Sequence, residues 1–253
     1  MSSDAAHESS SPRERLKEAR RALYREAIVD AAEGVFARHG YEAAKVQAIA
    51  KAAGVSLATF YAVFPKKWDA YRAVQADRLA ALMQQVGRAV LDAADAFDRL
   101  RAGLEGYLRF HMAHPEFLRL QLRERVPWGT TDELRTPEQT RAWEAGLRML
   151  IGAFEEGMRR GDFRRDDAEL CARTATAMSQ VRLALWEGRG MIEAADAVAT
   201  EAMQQFVRAF GAPGRVEALL GRLAEGAAKG GSGPRRGSGV PPDRAGDAEG
   251  DRV

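Results

Sequence analysis

The sequence predicts an all-α protein, and three observations carry that prediction. Alanine and arginine are heavily used, aromatics make up 8% of the chain and only nine of its 253 residues are proline, a balance that favours helix. Apolar residues recur at intervals of three and four along almost every segment. Nowhere does a run alternate apolar and polar residues as a half-buried strand does.

Residues 1–11 are small and polar and are expected to be a disordered leader. Ser11-Pro12-Arg13-Glu14 then offers an N-cap serine, a proline at the first helical position and a glutamate three residues after the cap. Tyr24, Ile28, Val35 and Phe36 keep a helical period up to Gly40, which predicts a first helix over 12–38. Two short helices follow at 46–53 and 57–63, separated by Gly54. A long helix starts after Pro65, with Tyr71, Val74, Leu79, Leu82 and Val86 as its apolar face. Further helices are expected at 96–114, 115–125, 137–160, 166–188 and 194–210, with Pro115, the 126–131 loop and the 159–166 stretch as breaks. Val216, Leu219, Leu220 and Leu223 suggest one more helical pattern, and residues 227–253 read as a disordered tail. The expected division is a basic helical domain over 12–65 and a larger helical domain over 66–226.

Bulk composition narrows the function. The chain is long enough for one large domain or two small ones. Its single cysteine, Cys171, excludes an internal disulfide framework. No apolar run reaches the length of a membrane span and the first residues lack the apolar core of a secretory signal, so a cytoplasmic protein with no membrane partner is expected. The net charge of +2 is unevenly spread: Arg13 to Arg72 holds twelve Lys/Arg against seven Asp/Glu. No nucleophile–base pair, phosphate-cradling glycine loop or paired-carboxylate motif stands out, so neither an enzyme nor a cofactor is expected.

Residues 46–64 carry the strongest signal. A helix-turn-helix needs a small residue where its two helices cross, a glycine at the turn and apolar residues facing a shared core. Ala50, Gly54, Ile49 and Val55 fit those places, and Phe60 and Phe64, four apart, face inward. Ser56 is placed to cap the second helix, leaving that helix's first N–H groups toward a phosphate.

With Phe36, Gly40-Tyr41, Ile49-Ala50, Ala53-Gly54-Val55-Ser56, Thr59-Phe60-Tyr61, Phe64-Pro65 and Lys67 at these spacings, residues 31–71 resemble the DNA-binding domain of the TetR family of transcriptional regulators. The resemblance implies that Thr59 and Tyr61 meet backbone or base edges and that Lys45 and Lys67 meet phosphates. It places Gln47 at the groove edge, and puts Leu57, Ala58 and Ala62 where family members often carry base readers. The sequence departs from the family pattern at Ala44-Lys45 (no Ser/Thr cap for the first short helix), Ala58, Val63 and Trp68. Such a recognition helix has few polar readers, which directs attention to a basic leader. Arg13, Arg15, Lys17, Arg20 and Arg21 form a candidate arm for a phosphate backbone or a neighbouring minor groove.

Elsewhere the simplest readings are structural. His111 and His114 share a helix face as a metal half-site would, but no third ligand accompanies them, so no metal is expected. Cys171 reads as a small core residue. Phe110, Phe117, Trp128, Trp143, Phe154 and Trp186 are the large side chains of the second domain, and the resemblance implies that two or three of them line an apolar ligand cavity. It further implies a homodimer on double-stranded DNA at a palindromic operator, with the helices 166–188 and 194–210 pairing with their symmetry mates. The expected function is a repressor released by a small apolar or aromatic effector. The alternative is an effector-independent regulator controlled by a protein partner or by abundance.

Overall fold

The structure is a computed structural model that describes residues 11–124 and 135–230. It holds ten helices and no strand among those residues: α1 (Pro12–Ala43), α2 (Val46–Ala52), α3 (Leu57–Val63), α4 (Lys67–Leu91), α5 (Ala96–Ala113), α6 (Pro115–Arg123), α7 (Pro137–Arg160), α8 (Ala168–Gly188), α9 (Ala195–Phe210) and α10 (Val216–Gly230).

The helix starts follow local chemistry. Ser11 accepts from the Glu14 N–H while Glu14 accepts from the Ser11 N–H, the reciprocal box expected from the sequence. Thr136 and Gln139 repeat it at α7, and Asp95 and Asp167 cap α5 and α8. Gly40, at φ 74°, breaks the helical path of α1 near the expected end, and three further residues turn before Ala44. Residues 227–230, expected in the disordered tail, instead complete α10, because the alanines there extend an amphipathic helix at little cost. Ser11, expected in the leader, is an ordered cap. The rest of the leader and tail, and Trp128 with its loop, lie outside the described residues.

Two main cores result. The N-terminal one gathers Ile28, Phe36, Ile49, Phe60, Phe64, Tyr71 and Val74 from α1–α4, closed by Leu120 of α6. The larger one takes Leu79 and Leu82 from α4, Phe97 and Leu104 from α5, Trp143 and Phe154 from α7 and Phe206 from α9. Helix α4 therefore serves both, and the boundary expected at 65/66 falls inside continuous packing. Charged ties stitch α1 to α4: Arg25 pairs with Asp77, and Arg78 holds Glu33 at 2.6 Å. Burial pushes the Glu33 carboxyl up, against the pull of Arg78.

Candidate functional site

Helices α2 and α3 meet at 100°. The turn works because Gly54 adopts φ 66°, where a side chain is strained, and because Val55 N–H reaches the Ala50 carbonyl at 3.0 Å. Phe60 is completely buried, and Ile49 and Ala50 face it from α2. Ser56 Oγ accepts from the Thr59 N–H at 3.0 Å and lies 2.8 Å from Thr59 Oγ1, so the hydroxyl of Thr59 is already oriented. Helix α2 has no side-chain cap at Lys45, as its sequence suggested.

The opposite face is open. Lys45, Gln47, Ser56, Leu57, Ala58, Tyr61 and Ala62 are exposed and Thr59 is half-exposed. Tyr61 stands 46% exposed, with its ring edge-on against Phe60. This is a protruding surface of one hydroxyl-bearing ring, short apolar groups and two polar tips, suited to major-groove contact.

Lys67 departs from expectation. Its Nζ donates to the carbonyls of Tyr41, Glu42 and Ala44 at 2.6, 3.1 and 3.1 Å. An ammonium has three protons, and all three are engaged inside the domain rather than turned to a phosphate. The basic leader differs as well. It is the helical start of α1, about 10–12 Å across with its side chains, and cannot enter a minor groove about 6 Å wide.

Sequence reading missed the aromatic cluster behind Lys67. Trp68 stacks on Tyr71 at 5.3 Å, and Tyr41 meets both rings edge-on. Trp68, odd by family pattern, is thereby explained by its neighbours.

Beside the larger core lies a partly open apolar cavity of about 90 Å³ between α4, α5, α7 and α8. Of the expected aromatics among the described residues only Trp143 lines it; Phe110, Phe117 and Phe154 are packed in the core, and Trp186 sits in a separate cluster with its Nε1 on the Glu193 carbonyl. Leu82 and Val86, expected only as an apolar helix face, supply walls together with Met83, Leu104 and Tyr107, which the sequence did not single out. Among the described residues no charged side chain lines the cavity. The hydroxyls of Thr176 and Ser179 are spent on carbonyls of their own helix, and burial pushes the Tyr107 phenol up to about 12, so it stays a neutral donor.

His111 and His114 each hydrogen-bond through Nδ1 to a carbonyl one turn back, Tyr107 and Phe110 respectively. No group of three metal-ligating residues occurs among the described residues. Cys171 is buried, and burial pushes its thiol up, away from reactive thiolate character.

A third feature is the outer face of α8 and α9. Leu170, Thr174, Val181 and Leu185 form an exposed stripe at helical spacing, flanked by a groove of about 500 Å³ that Trp186 and Gln205 also line. Arg182 binds Glu201 and Gln205 across it, holding α8 to α9.

No single helix among the described residues is long and apolar enough to cross a membrane. Residues 28–81 match the family model described as bacterial regulatory proteins, tetR family. Over 134 residues the chain is 31% identical to the HTH-type transcriptional repressor SCO4008 of Streptomyces coelicolor, a match that covers 53% of this chain and 64% of that protein, less than two thirds of its length. The fold matches the ketosteroid transcriptional regulator KstR2 of Mycobacterium tuberculosis with a TM-score of 0.63 at 20% identity, over 75% of this chain and 95% of that one. It also matches the transcriptional regulator FadR of Bacillus subtilis, solved in complex with stearoyl-CoA, with a TM-score of 0.60 at 20% identity, over 72% and 96%. Residues 28–81 are thus a helix-turn-helix domain of the tetR family of bacterial regulatory proteins, carried in a helical fold shared with solved regulators such as KstR2 and FadR.

Proposed function

We propose that this protein is a homodimeric transcriptional repressor that binds a palindromic operator and is released by a small, neutral, apolar or aromatic molecule. The observation that carries the reading is the outward face of α2–α3, where Gln47, Thr59 and Tyr61 stand around Leu57, Ala58 and Ala62 on a rigid, Phe60-anchored platform. Thymine methyl groups suit the short apolar side chains, and the three polar residues supply hydrogen bonds. Likeness to a protein named a repressor supports the sign of regulation.

The exposed stripe on α8 supports dimerisation, since an apolar helix face of this kind is costly to leave in water. The cavity supports a ligand, and its chemistry narrows the class. Lacking charge, it would bury a carboxylate or phosphate at a cost of several kcal/mol (roughly, for an unpaired ion). Its volume is below the roughly 150 Å³ of an apolar cavity that takes up benzene. Met83 and Met149 line it and can yield around a single ring.

The test is selection of duplexes from a random pool, followed by footprinting and sedimentation. A symmetric footprint bound by a dimer, weakened by toluene or indole, is the expected result. A monomer on an asymmetric site, or no salt-sensitive DNA binding, overturns the proposal.

A further inference from the structure

We infer that the first three turns of α1 are a second DNA-contact element, a rigid basic helix lying along the phosphate backbone beside the site read by α3. The inference rests on the DNA-binding reading above.

Ile28 is the first fully buried residue of α1, and Arg25, bidentate to Asp77 with both bonds at 3.0 Å, ties the helix to α4 just before it. Residues 12–23 are all exposed. The segment continues a packed helix, so it does not bear the nucleation cost of an isolated one. Its start is fixed by the Ser11–Glu14 box.

Four of its cations gather on one side, with Arg15 on another. At about 100° per residue, Arg13, Lys17, Arg20 and Arg21 share one face with Tyr24. Arg20 Nε donates to Tyr24 Oη at 3.0 Å. Glu14 and Glu18 fall instead toward the face that Arg25 presents to α4. Six cations stand against two carboxylates between Arg13 and Arg25, in a chain whose net charge is +2, so the remaining residues carry a net negative charge. An excess of positive charge therefore sits on the start of α1, ahead of Glu26, Asp30 and Glu33 on the same helix.

The partner that fits is a regular line of negative charge. From Arg13 to Tyr24 the helix spans roughly 17 Å, a length of duplex axis that holds about five phosphates of each strand. Too thick for the minor groove, the element positions the protein and does not read bases. Leu16 and Leu23 form a second exposed stripe on the same segment. An acidic membrane surface would use that stripe together with the charge. Fusion of the segment to the helix-turn-helix domain favours DNA.

The experiment compares the full chain with R13Q/K17Q/R20Q/R21Q across a salt series, on a duplex selected from a random pool and on a random-sequence duplex. Each phosphate contact contributes about 0.9 to the slope of log affinity against log salt. The slope should fall by about two or more across a dimer, and low-salt affinity should drop about tenfold or more on both duplexes alike. R141Q/R148Q, on the exposed side of α7, should leave the slope unchanged. Parallel lines for variant and wild type overturn the inference. So does a loss confined to the selected duplex, or one confined to phosphatidylserine vesicles. If Gln47→Ala and Tyr61→Ala leave binding to the selected duplex intact, the helix-turn-helix reading fails instead, independently of the α1 result.

Discussion

Lys67 Nζ lies 2.6 Å from the Tyr41 carbonyl and 4.4 Å from the centre of the Tyr41 ring, so one ammonium meets both the backbone and the π face of the same residue. With the Glu42 and Ala44 carbonyls added, it pins the end of α1 and the entry to α2 onto the start of α4. The lysine's place in the motif follows from backbone carbonyls that would otherwise lack a partner at a helix end.

Lys67→Met keeps the stem and removes the donors. It should cost about 1.5–3 kcal/mol, the range for hydrogen bonds to a charged group, and leave the salt slope of DNA binding unchanged. Urea melts and a salt series measure both. Unchanged stability with a lowered slope would return Lys67 to a phosphate.

Phe60 and Tyr61 are adjacent and should behave oppositely. Phe60→Ala empties the centre of the N-terminal core and should cost roughly 3–5 kcal/mol. Tyr61→Phe removes an exposed hydroxyl, so melting should hold while operator affinity falls. Equal melting temperatures for the two variants would refute this division.

His111 gives the fold an acid-sensitive point. Burial lowers its pKa from 6.5 to about 4, and its Nδ1–H donates to the Tyr107 carbonyl. Because the folded value is depressed, the unfolded chain binds the extra proton first as pH falls. Stability from the neutral ring is therefore fully present above about pH 6.5 and is lost progressively toward pH 4, a change on the order of 3 kcal/mol. His111→Phe should flatten the stability profile between those pH values. An unchanged slope in urea titrations would show that His111 is not the group responsible.

Gly146 faces the cavity from α7, and a Cβ there meets nothing within 4 Å. Gly146→Leu should fill the space and, by removing a helix-interior glycine, raise stability by up to about 1 kcal/mol. Toluene or indole should then no longer raise the melting temperature or weaken DNA binding. A response equal to wild type would place the effector elsewhere.

The helix-turn-helix was legible because its determinants are local: Gly54, Ala50, Ser56 and Phe60 lie within eleven residues and each answers a backbone or crossing requirement. The helix starts after Ser11, Asp95 and Thr136 fall where the sequence puts them for the same reason, whereas α8 starts at Ala168, two residues later than expected, because Asp167 caps it instead of joining it. The cavity was not, because Leu82, Leu104, Tyr107 and Trp143 come from three helices whose rotation about their axes no single segment records. Phe110 and Phe154 look like pocket aromatics in sequence and are core in space. One usable hint was present: Gly103 lets the Met149 side chain lie against α5, and a small residue one turn before Tyr107 marks a close crossing. Lys67 misled because a basic residue's spacing does not say whether its protons meet carbonyls or phosphates.

Helix α4 packs Ala70, Tyr71 and Val74 into the N-terminal core beside α1 and, two turns on, lends Leu79, Leu82, Met83 and Val86 to the cavity wall. The two halves of this chain are thus not modules joined by a tether. A graft that cuts at residue 65, where the motif ends, would strip the floor from the recognition domain. One that moves α4 whole would import one side of another protein's cavity wall. New effector specificity in this scaffold is therefore to be sought by substituting the walls that α5, α7 and α8 supply, with α4 left as the common axle.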